Sequence, residues 1–145
     1  MKTLTLLAIL SLIAVMTTFA ADQPDDAKAI QGTWLPVKAA LAGKPMPEEF
    51  LKKIVSLQLD HGKYVVTAES LDQGTYTLNP TAKPKILDVT GGTGPNVGRK
   101  IPAIYELEGD TLRICYNLGG SAHPTEFKSP TGTKFFLIIY QRKKG

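Results

Sequence analysis

A chain of 145 residues with 43% apolar and 21% charged residues has enough apolar material for one packed domain and too little charge for a disordered or acidic solvating protein. Its 17 Lys+Arg against 13 Asp+Glu give a formal charge of +4. That is too small for a nucleic-acid partner, because only Arg142, Lys143 and Lys144 cluster and no basic stripe interleaved with aromatics accompanies them.

The N-terminus runs from a basic Lys2 through an apolar stretch, Leu4 to Val15, to small or polar residues closing on Thr18, Phe19 and Ala20. That order is the pattern of a secretory signal peptide, with about a dozen apolar residues where a spanning helix needs about 20. Residues 1–20 are expected to be removed, and 21–145 to fold as a single exported domain, periplasmic or secreted. No membrane span is expected after cleavage, and no lipid attachment, since the cleavage site lacks a cysteine. Cys115 is the only cysteine, so no internal disulfide can form and stability must come from a core.

Residues 22–28 are polar and predict one helical turn. Eight extended segments follow, at 33–40, 55–60, 63–68, 74–78, 85–90, 102–108, 111–117 and 134–142, separated by turn chemistry. One short helix is expected after the first strand, at 47–54, where Pro47 suits the first turn and Glu48 and Glu49 favour its positive end. Pro36 lies inside the first strand and removes a ladder donor, so a bulge or a free edge is expected there.

Two tight turns set register. A His61-Gly62 turn places Asp60 opposite Lys63, Leu59 opposite Tyr64 and Leu57 opposite Val66. A Gly109-Asp110 turn pairs Leu107 with Leu112, Glu106 with Arg113 and Tyr105 with Ile114. A slip of one residue would destroy every one of these matches. Alternation then sends Leu57, Leu59, Tyr64, Val66, Tyr76, Leu78, Tyr105, Leu107, Leu112, Ile114 and Tyr116 to one side, the core. Gln58, Thr75, Thr77, Glu106, Arg113, Cys115 and Asn117 fall on the wet side. By this count Cys115 faces outward, against the usual burial of a free cysteine, and would be placed to link two chains. The segment from Phe135 to Tyr140 is apolar on both faces and is expected to be covered on both.

Eight sequential antiparallel strands with one buried face close as a two-sheet sandwich or as an up-and-down barrel. Hairpin connectivity favours the all-β, eight-stranded antiparallel barrel, and pairing the first strand with the last removes two aggregation-prone edges. A barrel of this size is either filled by side chains or holds one small ligand.

The run Gln31-Gly32-Thr33-Trp34 opening the first strand resembles the lipocalin start, in which Gly-x-Trp seals one end of the barrel and an Arg of the last strand packs on the Trp. Arg142 stands at the matching position, and a guanidinium over an indole contributes ~0.5–2 kcal/mol. More specifically, the chain resembles the uncharacterised planctomycete lipocalin-like domain. The likeness is carried by Gln31-Gly32-Thr33-Trp34, Gly43-Lys44-Pro45-Met46-Pro47, Gly74-Thr75-Tyr76, the run from Ile104 to Cys115, and Pro124-Thr125-Glu126-Phe127. It implies a small exported lipocalin-like barrel and no particular activity or ligand.

Few residues point to chemistry. The Gly-rich stretch 91–100 lacks P-loop spacing and is followed by a strand rather than a helix, so it is expected to be a mobile inter-strand loop. His61 and His123 have no second His or Cys at ligand spacing, so no metal site and no cofactor are expected. His123, in the longest loop, could sit at a barrel mouth as a haem ligand or general base only with an orienting partner, for which Glu126 is the nearest acid. No serine lies in Gly-x-Ser-x-Gly, and the pairs Glu48-Glu49 and Glu106-Glu108 have structural explanations at a helix start and a hairpin. What remains is the aromatic interior. Tyr64, Tyr76, Tyr105 and Tyr116 fall on the core side, and each buried hydroxyl demands a partner from another tyrosine, a water or a ligand. The expectation is a non-enzymatic binder of a small apolar or amphipathic ligand, with Trp34 and Arg142 closing one end. The alternative is a cell-envelope interaction module with an envelope protein partner and a solid core.

Overall fold

The computed structural model describes residues 25–145, so the expected signal peptide lies outside the described residues. The elements run α1 (Asp26–Ala29), β1 (Gly32–Leu41), β2 (Lys44–Pro45), α2 (Glu48–Lys53), β3 (Ser56–Asp60), β4 (Lys63–Thr67), β5 (Leu71–Asn79), β6 (Lys85–Thr93), β7 (Lys100–Glu108), β8 (Thr111–Asn117) and β9 (Phe135–Arg142). All ladder pairings are antiparallel, and each long strand pairs with its sequence neighbour. β1 also pairs with β9, Trp34 standing opposite Leu57 on one side and Arg142 on the other, which closes the sheet into an eight-stranded lipocalin-like barrel. β2 is an additional two-residue strand folded back on the end of β1; a segment this short carries no alternation from which it could be foreseen.

Both hairpin registers are as the charge and apolar matching dictates: Asp60↔Lys63, Leu59↔Tyr64 and Leu57↔Val66, then Glu106↔Arg113, Leu107↔Leu112 and Tyr105↔Ile114. His61 and Gly62 both take positive φ, 46° and 78°, the backbone that a two-residue turn needs to follow the strand twist. At Pro36 the register with β9 shifts before Lys38, and the bulge leaves Val37 48% exposed. The inward residues form one cluster that includes Trp34, Leu57, Leu59, Tyr64, Tyr76, Leu87, Tyr105, Leu112, Ile114, Ile138 and Tyr140.

The outer wall departs from simple alternation. Cys115 does point away from the barrel interior, but it is fully buried, and the expected solvated thiol is corrected. Residues 118–134 cover β7, β8 and β9: the Cys115 thiol donates to the Lys128 carbonyl at 3.4 Å, and the Arg113 guanidinium lies 4.1 Å from the Phe127 ring centroid. Asn117, another outward residue that is buried, anchors this segment by donating to the Ala122 carbonyl at 2.8 Å and accepting from the Gly119 amide at 2.9 Å. The same cover explains why β9 is apolar on both faces, with Phe135, Leu137 and Ile139 half-buried outside while Ile138 and Tyr140 are buried inside.

Candidate functional site

The barrel has two unlike ends. At one, α1 and the residues after it form a plug. Trp34 is fully buried and its indole N–H donates to the Ile30 carbonyl at 2.9 Å. The Arg142 guanidinium lies 4.3 Å from the Trp34 ring centroid. It donates through Nη1 to the Gln31 carbonyl (2.7 Å), through Nη2 to the Ala29 carbonyl (2.6 Å) and through Nε to Asp110 (3.2 Å). Trp34 and Arg142 are thus brought together at this end, and the planar guanidinium lies on the indole while its two terminal nitrogens reach two carbonyls.

The plug is pinned by a buried carboxylate. Asp26 Oδ2 accepts from Lys85 Nζ at 2.8 Å and from the Tyr105 hydroxyl at 2.7 Å. Burial by itself raises the Asp26 pKa, but the Lys85 ammonium and the Tyr105 hydroxyl outweigh it and hold the carboxyl below its ordinary value. Tyr105 is therefore committed to the closed end. It does not line the interior space, contrary to expectation, because its position on β7 lies beside the plug rather than beside the opening.

The other end opens on a cavity of about 510 Å³. Its floor and walls are Leu57, Leu59, Leu87, Val89, Ile101 and Ile114, and three of the expected tyrosines, Tyr64, Tyr76 and Tyr116, line it. Tyr140 joins them, and Phe50 of α2 and Phe136 of β9 stand edge to face at the rim, 6.2 Å between centroids. Tyr116 of β8 and Tyr140 of β9, from adjacent strands, both face the cavity. Burial, and after it the neighbouring Tyr140, pushes the Tyr116 pKa far up; burial and then the Asp72 charge do the same at Tyr64. These phenols therefore stay protonated, as donors, at any physiological pH.

A polar chain crosses the mouth. The Tyr64 hydroxyl donates to Asp72 Oδ1 (3.1 Å), and Asn96 Nδ2 donates to Asp72 Oδ2 (2.6 Å). Arg99 donates through Nη1 to Asn96 Oδ1 (2.9 Å) and through Nη2 to the Leu118 carbonyl (2.6 Å). None of Asp72, Asn96, Arg99 and Tyr140 was foreseen. Asp72 precedes the expected start of its strand at 74, yet inward parity with Gly74 and Tyr76 would have found it had the strand been extended backward. Tyr140 lay in a segment apolar on both faces, where parity says nothing.

Asn96 and Arg99 come from the Gly-rich stretch, which forms a hydrogen-bonded turn rather than the expected loose loop. β6 continues to Thr93, the Gly91 amide donates to the Arg99 carbonyl and the Gly98 amide to the Gly91 carbonyl, each at 2.9 Å. Glycine at 91 is required because a Cβ there would stand 1.8 Å from the Asn96 carbonyl oxygen.

Outside this chain the mouth also carries the exposed pair Lys53 and Glu69 and, next in sequence to the lining residues Ile54, Asp72 and Asn96, three exposed apolar side chains. Val55, Leu71 and Val97, at 60%, 50% and 62% exposure, are three of the four exposed large apolar side chains among the described residues. Backbone links join them: the Val55 amide donates to the Thr67 carbonyl, Thr67 pairs with Leu71, and Gly94, packed on Leu71, accepts from the Val97 amide.

The remaining candidates are not brought together. His123 lies on the outer wall rather than at the mouth, with Nε2 2.6 Å from Asp88 Oδ1, because Asp88 alternates outward between Leu87 and Val89. Glu126, the expected partner, instead approaches Lys128 at 3.6 Å. His61 sits at its turn tip beside Asp60. Glu48 pairs with Lys52 along α2, and Glu106 with Arg113 across the hairpin. No group of three metal-ligating side chains occurs among the described residues, and no helix there is long and apolar enough to cross a membrane. Comparison with protein-family models, with curated proteins and with solved structures found no match.

Proposed function

We propose that the chain is an exported, non-enzymatic lipocalin-like protein that binds one small apolar or amphipathic molecule inside its barrel. The planctomycete lipocalin-like resemblance belongs to the same proposal. The observation that carries it is the cavity of about 510 Å³, plugged at one end by Trp34 and Arg142 and open at the other. Sites that enclose small ligands span about 300–1,000 Å³ and are apolar with a few placed polar groups, as here. An interaction module with a solid core has no use for such a space, whose unfilled walls forgo packing contacts.

The test is a titration with the neutral fluorophore N-phenyl-1-naphthylamine. One saturable site per chain is expected, and Val66→Trp, which fills the wall, should weaken it by about tenfold or more without changing the fold seen by circular dichroism. Absence of saturable binding to the wild type would refute the proposal; unchanged affinity in Val66→Trp would refute the cavity as its place.

A further inference from the structure

Resting on the cavity as a ligand site, we propose that its ligand is a cationic amphipath, an amine or quaternary ammonium on an apolar body, whose head is received by Asp72. Four charged side chains border the space: Lys53, Glu69, Asp72 and Arg99. Lys53 and Glu69 neutralise each other at 3.6 Å, 62% and 78% exposed, and contribute little field inside. Arg99 is exposed and spends its two terminal nitrogens on Asn96 and the Leu118 carbonyl. Asp72 alone is half-buried on the cavity side.

No cation among the described residues reaches the Asp72 carboxylate. Its two oxygens accept only from the Tyr64 hydroxyl and the Asn96 amide, both neutral. An ionised carboxylate has about four acceptor positions, so half of its capacity is unused and it has no ion-pair partner among the described residues, in a partly desolvated place. A carboxylate-headed ligand would meet this charge with repulsion, and a neutral alcohol would leave it unpaired. An ammonium compensates it in a cavity also lined by the aromatic rings of Tyr64, Tyr116, Phe50 and Phe136, a class of side chain that attracts cations.

The site is also built rather than incidental. Asn96 is held against Asp72 by the turn that Gly91 permits, and Tyr64 against it by a strand pairing in which Gly74 leaves room for the ring: a Cβ at Gly74 would stand 2.9 Å from Tyr64 Cε1.

Calorimetric titration of the mature protein with dodecylammonium, dodecanol and dodecanoate, each below its micelle-forming concentration, separates the two levels of the claim. The expected order is ammonium tightest by about tenfold or more over the alcohol, with the carboxylate weakest, and a preference that fades as salt is added. Asp72→Asn should collapse the ammonium-to-alcohol ratio to below about threefold. Equal binding of ammonium and alcohol by the wild type, or tighter binding of dodecanoate, would overturn the cationic preference and leave the cavity reading intact. Binding of none of the three would overturn both. The wild-type ranking decides the matter even if Asp72→Asn fails to fold.

Discussion

Replacing Asp26 tests whether the plug at the closed end is held by a charge, by a hydrogen bond or by both. Asp26→Asn keeps the shape, and its amide oxygen can still accept from Tyr105, but Lys85 loses its counter-ion. The Lys85 side chain is 36% exposed, so water screens that pair and its loss is worth about 1 kcal/mol or less. Asp26→Ala removes the shared acceptor and strands the hydroxyl of Tyr105, itself only 1% exposed, which adds about 1–3 kcal/mol for an unsatisfied buried donor. At roughly 4 °C per kcal/mol for a domain of this size, Asn lowers Tm by about 4 °C and Ala by about 8–16 °C. In a Tyr105→Phe background the hydroxyl is already gone, so the Ala substitution should cost only the Lys85 share, about 1 kcal/mol.

The same residue makes a signed prediction in pH. Its folded-state pKa is depressed, so as acid is added the unfolded chain takes up this proton before the folded chain does. The stabilisation is complete above the ordinary carboxylate range and is lost as the pH falls through the folded-state value. The Tm gap between wild type and Asp26→Asn should therefore be full at about pH 7 and shrink towards pH 3. Thermal melts of the four variants by circular dichroism supply all these numbers. Equal melting of Asp26→Asn and Asp26→Ala, or an undiminished Ala penalty in the Tyr105→Phe background, would refute the assignment of energy to the Tyr105–Asp26 bond.

Two further outcomes are expected. Arg142→Lys keeps the charge but cannot satisfy the Gln31 and Ala29 carbonyls together while lying flat on Trp34, so it should cost about 2–3 kcal/mol in denaturant titration; a loss under about 0.5 kcal/mol would show that charge alone suffices. Cys115 is fully buried beneath residues 118–134, and burial pushes its thiol pKa up. It should therefore resist a thiol-reactive chromogen in the native state, react on unfolding, and form no disulfide-linked dimer on a non-reducing gel.

Alternation and turn chemistry sufficed for the eight barrel strands, both hairpin registers, the bulge at Pro36 and the inward set, because each is settled by matches between residues a few positions apart. Trp34 and Arg142 could be paired across the whole chain only because a short motif at one end and an arginine at the other mark the seam. The tyrosines show where such reasoning stops. Parity sorts inside from outside, and all four expected tyrosines do point inward, but parity does not say how far along the barrel a side chain sits. Tyr105 is at the plug and Tyr116 at the cavity, although both occupy inward positions on adjacent strands.

Local pattern therefore determined that this chain is a closed antiparallel barrel with an aromatic interior. Tertiary structure alone decided the rest: that Asp26 and Lys85, 59 positions apart in the chain, meet beneath the plug; that a glycine-rich turn carries Asn96 to Asp72; and that a long loop buries Cys115. The physical reason is that strand pairing is specified by the nearest neighbours, whereas a cavity, a plug and a covered face are made by segments whose separation in sequence carries no periodic signal and whose meeting depends on how the whole sheet closes.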